Sequence, residues 1–276
     1  MSNRTPRVWR IVMLAALLAL GFAAARDSAT ARQDDNPVYN EVALLESAII
    51  DVYPHDPAAI TRGLVYHGGY LYESAGLEDR SALRQIDPAS GEVLRALDLP
   101  ARHAGAGLAR IDNTLVQLTE RAGIARVVAL GSLAPVAEFA YDGTARGLCA
   151  DEQFIYMSNG TPFIALRDRT TFEPIVSFLV TVRGSMVERL DELECVGDHI
   201  YATVSRTDFI VQIDKSNGVV TAVIDAANLL SSSERAALGK DDLLSGIAYQ
   251  PESETFLVTG QHWPKLYEVT FVETDR

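Results

Sequence analysis

Apolar residues recur along this chain in short runs, and a small motif marks the beginning of five of them. The motif is one variable residue followed by Gly-Leu or a close equivalent, and its last residue is Leu64, Leu108, Leu148, Leu193 or Ile247. The steps between successive copies are 44, 40, 45 and 54 residues. A period of this length is typical of β-propeller blades, each of which is a four-stranded sheet. The spacing therefore predicts five repeats of four strands.

Tight turns separate the apolar segments within each repeat. The pairs Gly68-Gly69, Asp112-Asn113 and Gly197-Asp198 follow a first strand, and they accept the positive φ that two-residue hairpin turns require. The fifth repeat ends near Phe271 after only three strands. We expect the apolar segment Val42–Val52 to supply its fourth strand, which would remove exposed sheet edges. The sequence thus predicts an all-β fold, a five-bladed β-propeller closed by its N-terminal strand.

The glycine of the motif and the residue before it have a structural interpretation. First strands of a propeller crowd around one axis, and Gly lets their backbones approach closely. The residue before the glycine is then expected to face the mouth of the central channel. Five positions form this predicted ring: Arg62, Ala106, Arg146, Asp191 and Ser245.

The first 31 residues have the pattern of a secretory signal peptide. Arg4, Arg7 and Arg10 precede the apolar run Ile11–Ala25, and the small residues Ala29-Thr30-Ala31 follow it. The apolar run is about 15 residues long, shorter than the roughly 20 residues that span a bilayer. An uncleaved anchor is the alternative interpretation. We expect an exported protein, periplasmic or extracellular, with residues 1–31 as the signal peptide and residues 32–276 as the propeller.

Net charge restricts the classes of partner. The whole chain has a formal net charge of −13, and residues 32–276 contain 20 Lys and Arg against 36 Asp and Glu. A chain of this charge repels phosphate backbones and anionic lipids. We therefore expect no nucleic-acid partner and no membrane partner beyond export. We also expect a monomer.

The cysteines and histidines give no pattern of a metal or cofactor site. The two cysteines are Cys149 and Cys195, and a disulfide and two buried thiols fit the sequence equally well. His55, His103 and His262 fall in loops near predicted strand ends, but no pair has the spacing of zinc ligands. We expect no metal and no cofactor.

Several stretches of the chain match motifs of one enzyme family. They are Thr61–Tyr66, Leu71–Ser74, Asp191–Glu194 and, most specifically, Thr259–Val269 with its Trp-Pro-Lys-Leu sequence. In these stretches, and over about Val52–Val269 as a whole, the chain resembles the plant-type glutaminyl-peptide cyclotransferases. The resemblance implies a secreted or periplasmic five-bladed β-propeller. It also implies conversion of an N-terminal glutamine into pyroglutamate with release of ammonia.

The positions that the family uses for chemistry carry other residues in this chain. The resemblance implies a catalytic Glu in a Phe-Gly-Glu-Gly motif, which here reads Ala104-Gly105-Ala106-Gly107, so Ala106 occupies the Glu position. Further matched positions also differ: Arg62 replaces Gln, Glu120 and Arg146 each replace Trp, Asp191 replaces Asn, Ser205 replaces Trp, and Gln261 replaces Lys. Together with Ser245, these residues form the predicted pocket at the channel mouth.

Two functions remain open on these residues. One is a glutaminyl-peptide cyclotransferase of impaired activity, in which Glu120 or Asp191 moves the proton and the partner is a peptide N-terminus. The other is an exported, non-catalytic propeller that binds a charged peptide or metabolite at its mouth. The altered mouth favours the second function, since a carboxylate and three aromatic walls are missing. Arg146 and Asp191 lie on adjacent repeats, and an ion pair between them that closes the channel is a further expectation.

Overall fold

The computed structural model describes residues 42–76, 80–240 and 242–274. In these ranges the protein is all-β, as predicted, with one 3-10 helix and one α-helix. The predicted signal peptide, residues 1–31, lies outside the described residues, as do residues 32–41 of the predicted propeller. Among the described residues, no helix has the length and apolar character needed to cross a bilayer.

The described residues contain 22 strands. They are β1 Ala43–Pro54, β2 Thr61–His67, β3 Tyr70–Ala75, β4 Ala82–Ile86, β5 Val93–Asp98, β6 Gly105–Ile111, β7 Thr114–Thr119, β8 Ile124–Ala129, β9 Pro135–Ala140, β10 Leu148–Ala150, β11 Phe154–Ser158, β12 Phe163–Asp168, β13 Pro174–Leu179, β14 Thr181–Val182, β15 Ser185–Met186, β16 Leu190–Val196, β17 His199–Val204, β18 Phe209–Asp214, β19 Val220–Asp225, β20 Leu244–Gln250, β21 Thr255–Gly260 and β22 Lys265–Glu273. The 3-10 helix is Ala227–Leu229 and the helix α1 is Ser232–Ala237.

The strands form antiparallel meanders of four. Three separate sheets have the orders β2-β3-β4-β5, β6-β7-β8-β9 and β10-β11-β12-β13. A larger sheet has the order β16-β17-β18-β19-β1-β22-β21-β20, so β1 is the fourth strand beside β22, β21 and β20. β1 pairs antiparallel with β22 over most of its length, and its first four residues also pair in parallel with β19. The segment before the first repeat therefore joins the last one.

The first strands of these meanders contact one another in a closed ring, in the order β2, β6, β10, β16, β20 and back to β2. The motif glycines lie where neighbouring strands approach most closely. A Cβ at Gly107 would lie 2.5 Å from the backbone nitrogen of Leu148 on the next first strand, and a Cβ at Gly147 would collide with the carbonyl oxygen of Asp191. Any side chain at these two positions would push the strands apart.

Two short elements are inserted between consecutive meanders. The hairpin β14–β15 lies between β13 and β16, and its turn uses Arg183 and Gly184 with φ of 48° and 79°. Helix α1 lies between β19 and β20. It begins at a capping box in which Ser231 accepts a hydrogen bond from the Glu234 N–H and Glu234 accepts one from the Ser231 N–H. The capping-box pattern is visible in the sequence, whereas the hairpin has no comparable signal.

Cys149 on β10 and Cys195 on β16 form a disulfide bond. This pairing decides between the two interpretations that the sequence left open. The bond joins two adjacent first strands across 46 residues of chain. It therefore holds together the strands that follow Arg146 and contain Asp191.

Candidate functional site

A cavity of about 470 Å³ opens at the end of the ring where the motif residues lie, which we call the mouth. A narrow space of about 10 Å³ shares Arg62, Arg146 and Asp191 with it. Seven of the eight residues predicted for the pocket line these two spaces: Arg62, Ala106, Glu120, Arg146, Asp191, Ser205 and Gln261. The eighth, Ser245, lines neither, because it is 3% exposed and its Oγ is buried without a partner among the described residues. The chemical roles of all eight stay predictions.

The backbone explains why the residue before the motif glycine leaves the sheet. β2 pairs with β3 with a shift of register between Thr61 and Gly63, at Arg62. β16 pairs with β17 with a similar shift between Leu190 and Leu193, next to Asp191. Such irregularities place an extra residue in one strand and redirect its side chain. Arg62 and Asp191 are thereby brought to the same cavity from different sheets.

Arg146 forms its ion pair with Glu120 and not with Asp191. The Arg146 Nη1 lies 3.4 Å from the Glu120 Oε1. Glu120 follows β7, and its carbonyl oxygen accepts a hydrogen bond from the Ala145 N–H at 3.0 Å, which places the two side chains on the same side of the mouth. The expected Arg146–Asp191 ion pair was therefore wrong. Because Glu120 is engaged by a guanidinium, it is a poor candidate for a free general base.

Asp191 is the carboxyl group that lines the larger cavity. Burial raises the pKa of Asp191 above its usual value, and this effect outweighs the opposing influence of Arg146 and Arg62 and of a hydrogen bond with Ser205. The Asp191 carbonyl oxygen accepts a hydrogen bond from the Ser158 Oγ at 2.5 Å, which fixes the backbone at this point. The mouth thus holds one carboxyl group that gains a proton more readily than an exposed aspartate.

Arg189 and Arg206 complete the lining with two exposed guanidinium groups. Both residues have positive φ, 63° and 65°, in the connections that precede and follow strands of the same sheet. Neither residue is among the eight predicted for the pocket. The available signal for Arg189 was its position two residues before Asp191, in the segment that leads into β16. The mouth therefore carries four arginines.

The comparisons with known proteins point to one family. The family model described as Glutamine cyclotransferase matches residues 14–271. The chain belongs to the glutamine cyclotransferase family.

Two relatives support this membership in the glutamine cyclotransferase family. The glutaminyl-peptide cyclotransferase of Arabidopsis thaliana is 31% identical over 232 residues, which cover 81% of this chain and 71% of the relative. The crystal structure of Myxococcus xanthus glutaminyl cyclase matches with a TM-score of 0.80 at 30% identity, covering 85% of this chain and 100% of that chain. The resemblance seen in the sequence is confirmed at the level of the family and the overall fold.

Ala106 stands where the resemblance to the glutamine cyclotransferase family implies a catalytic carboxylate. It is 3% exposed and belongs to the buried hydrophobic cluster that contains Leu118 and Ala145. Its neighbour Gly105 is equally confined, because a Cβ there would lie 2.7 Å from the Ser74 Oγ. The small residues Ala104–Gly107 are therefore closely packed against the neighbouring strands. The narrow space beside Ala106 has room for about one water molecule, so a glutamate at position 106 would require its neighbours to shift.

A buried network lies beside Arg62, in the part of the glutamine cyclotransferase fold formed by β2, β3 and β4. Glu73 is 0% exposed, accepts hydrogen bonds from Thr61 Oγ1 at 2.6 Å and Arg84 Nε at 3.0 Å, and lies 3.2 Å from His55 Nε2. Burial alone raises the pKa of Glu73, but the bond to His55 and the charges of His55 and Arg84 outweigh it and lower the pKa to about 2. Burial lowers the pKa of His55, yet Glu73 raises it overall. The network therefore fixes Thr61, the residue directly before Arg62.

Strand β16 of this family fold carries two further acidic groups with the opposite behaviour. Glu192, which takes the place of the motif glycine, accepts a hydrogen bond from the Leu64 N–H at 3.2 Å, and its Oε2 has no partner among the described residues. Burial raises the pKa of Glu192 well above its usual value. Glu194 lines a separate cavity of about 180 Å³, and burial raises its pKa to about 8. Among the described residues, no cluster of three or more His, Cys, Asp or Glu could hold a metal ion.

Proposed function

We propose that this protein is an exported, five-bladed β-propeller of the glutamine cyclotransferase family whose mouth has largely lost glutamine cyclisation. The closed ring of first strands and the pairing of β1 with β22 support five blades closed by the N-terminal strand. The Cys149–Cys195 disulfide supports export, since disulfides persist in oxidising compartments such as the periplasm or the extracellular space.

The observation that carries this proposal is the packed methyl group of Ala106 at the position of the expected acid-base residue. Cyclisation of an N-terminal glutamine requires attack of the α-amine on the side-chain carboxamide. A proton must then move from the amine to the departing nitrogen, which leaves as ammonia. A methyl group cannot move that proton, and Glu120 is paired with Arg146. Asp191 is the remaining candidate in the mouth, so we expect residual activity at most.

A second candidate function is the binding of a charged peptide or metabolite without turnover. The observation that favours it is the polar lining of the 470 Å³ cavity, which contains Arg62, Arg146, Arg189 and Arg206. Guanidinium groups recognise carboxylates and phosphates through paired hydrogen bonds. They give no apolar wall against which the neutral side chain of glutamine could pack.

The test is ammonia release and peptide mass loss with a short peptide that begins with glutamine. The unmodified protein is compared with Ala106→Glu and, as a neutral control of the same size, Ala106→Gln. We expect Ala106→Glu to gain activity over both other proteins, provided its circular dichroism shows a folded protein. Turnover by the unmodified protein that Asp191→Asn abolishes would contradict the loss of cyclisation and would assign proton transfer to Asp191.

A further inference from the structure

The mouth concentrates positive charge on a strongly acidic protein. Four arginines from three different sheets line one cavity of about 470 Å³, while the chain as a whole has a formal net charge of −13. Within that lining Asp191 is the single carboxyl-bearing residue among those the structure describes. Arginines that served only to balance the acidic surface would be spread over it. Their convergence on one cavity instead indicates recognition of negative charge.

Three of the four arginines form no salt bridge among the described residues, although the charge of Arg62 acts on Asp191. Arg146 is paired with Glu120, but Arg62, Arg189 and Arg206 form no ion pair with any described carboxylate. A guanidinium group left unpaired at the edge of a cavity keeps its five N–H donors available for a ligand. Carboxylate and phosphate oxygens match the planar fork of these donors.

Asp191 controls how much of this positive charge a ligand meets. The groups that face it are Arg62 from β2, Arg146 from the segment before β10, Glu120 from the end of β7 and Ser205 from the end of β17. Arg189 and Arg206 line the same cavity. In its neutral form the Asp191 carboxyl group donates a hydrogen bond to an oxyanion, whereas in its ionised form it repels one.

We propose that the mouth binds a ligand carrying at least two carboxylate or phosphate groups, held by Arg62, Arg189 and Arg206 around Asp191. This inference rests on the proposed binding function and specifies the sign of the ligand's charge and the residues that recognise it. The volume of the cavity suits a small oligoanion, because sites for small molecules typically measure about 300–1,000 Å³. Binding between such charges weakens as salt is added.

The experiment is isothermal titration calorimetry of the purified protein at low ionic strength with three probes: citrate, inorganic pyrophosphate and tetraglutamate. Spermine, a cation, is the control of opposite charge. We expect saturable binding of at least one anion and none of spermine. The ranking of citrate, pyrophosphate and tetraglutamate distinguishes a carboxylate metabolite, a phosphate and an acidic peptide as the source of the anion. Absence of saturable binding by all three anions would overturn the proposal.

Substitutions locate the site. Arg62→Gln and Arg206→Gln are each expected to weaken binding about tenfold, as for the loss of one charge-assisted hydrogen bond. Arg206→Lys keeps the positive charge but not the planar set of N–H donors. Its affinity should lie between those of the unmodified protein and Arg206→Gln. The matched control is Arg110→Gln, which removes the same charge from the cavity of about 180 Å³ lined by Glu194. An equal loss of affinity in Arg110→Gln would show general electrostatics and would overturn the assignment to the mouth.

Asp191→Asn tests the role of the central carboxyl group. In the unmodified protein, affinity should fall as the pH rises and Asp191 ionises. Asp191→Asn should bind as tightly at low pH and lose this dependence. An unchanged pH profile in the variant would remove Asp191 from the proposal. Cyclisation of glutamine is measured on the same samples, since turnover contradicts the loss of activity and absent anion binding contradicts the ligand site.

Discussion

Glu73 on β3 and Glu192 on β16 are both shielded from solvent, at 0% and 1% exposure, yet the protein holds them in opposite ways. Glu73 accepts hydrogen bonds from Thr61 and Arg84, and its pKa is lowered to about 2. Glu192 accepts one bond, from the Leu64 N–H, and its pKa is raised well above the usual value. Burial therefore does not by itself decide the charge of a carboxyl group in this ring. The hydrogen-bond donors and positive charges around the carboxyl group decide it.

The two carboxyl groups belong to regions with different roles: Glu73 to a hydrogen-bonded network, and Glu192 to the strand that also carries Asp191 of the mouth. The network around Glu73 joins the first meander to the last one. The His55 side chain lies 3.2 Å from Glu73, and the His55 backbone N–H donates to the Pro264 carbonyl oxygen at 3.0 Å. Strand β16 carries Asp191, Glu192 and Glu194, and the pKa of each is raised. The stability of the folded ring is expected to depend on the first region, and the binding of ligands on the second.

The largest contrast is expected from the same substitution at both positions. Glu73→Gln removes the charge that balances Arg84 and His55 and should cost about 3–5 kcal/mol, the usual effect of breaking a buried ion pair. Glu192→Gln keeps a neutral acceptor for the Leu64 N–H and removes a carboxyl group whose raised pKa costs stability at pH 7, so it should be neutral or stabilising there. Denaturant unfolding measures both. Equal costs would remove the distinction between the two carboxyl groups.

The acid limb of stability should depend on Glu73. Its pKa in the folded protein, about 2, lies below the ordinary value of 4.5. Its contribution is therefore present above pH 4.5 and is lost as the pH falls toward 2, to an extent of about 3 kcal/mol. In Glu73→Gln the free energy of unfolding should change less over this interval. Parallel curves for the two proteins would refute the assignment.

His55 should act in the opposite direction at higher pH. Its pKa is raised in the folded protein, so its bond to Glu73 contributes fully below pH 6.5, the ordinary value, and the contribution is lost as the pH rises through the folded pKa. The measurement is the difference in the free energy of unfolding between the unmodified protein and His55→Gln from pH 5 to pH 9. A difference that grows with pH would contradict this sign.

The last expected effect is a stabilising one, at Glu194. Its pKa of about 8 means that the folded protein holds this proton more tightly than the unfolded chain, so stability falls as the pH rises from about 4.5 through 8. Glu194→Gln should be close to neutral near pH 4.5 and should stabilise the protein increasingly as the pH rises to 9. Thermal unfolding at the two pH values measures it. Destabilisation at pH 9 would show that the ionised carboxylate has a partner.

Much of the fold could be predicted because the motif repeats. The predicted strand Val42–Val52 is β1, Ala43–Pro54, and it occupies the expected place beside the last three strands. The parallel pairing of Ala43–Glu46 with β19 was not predicted, since two segments about 180 residues apart carry no local signal of their register. The hairpin β14–β15 was missed because its strands have two residues each and no apolar period.

The site was predictable to the extent that it follows the repeat. The motif places Arg62, Arg146 and Asp191 around one opening, and the structure brings them to one cavity. The motif could not identify Arg189, because this residue lies outside the motif, in a loop where it has positive φ. Nor could it choose Glu120 as the partner of Arg146, because that choice depends on how two meanders pack against each other.

The central proposal is that the family scaffold is retained while the mouth has largely lost cyclisation. The most direct test is kcat/KM for a peptide that begins with glutamine, measured for this protein beside Myxococcus xanthus glutaminyl cyclase under the same conditions. The absence of the acid-base carboxylate predicts a value lower by about 10²–10⁴. A value within a few-fold of the Myxococcus xanthus enzyme would contradict the account.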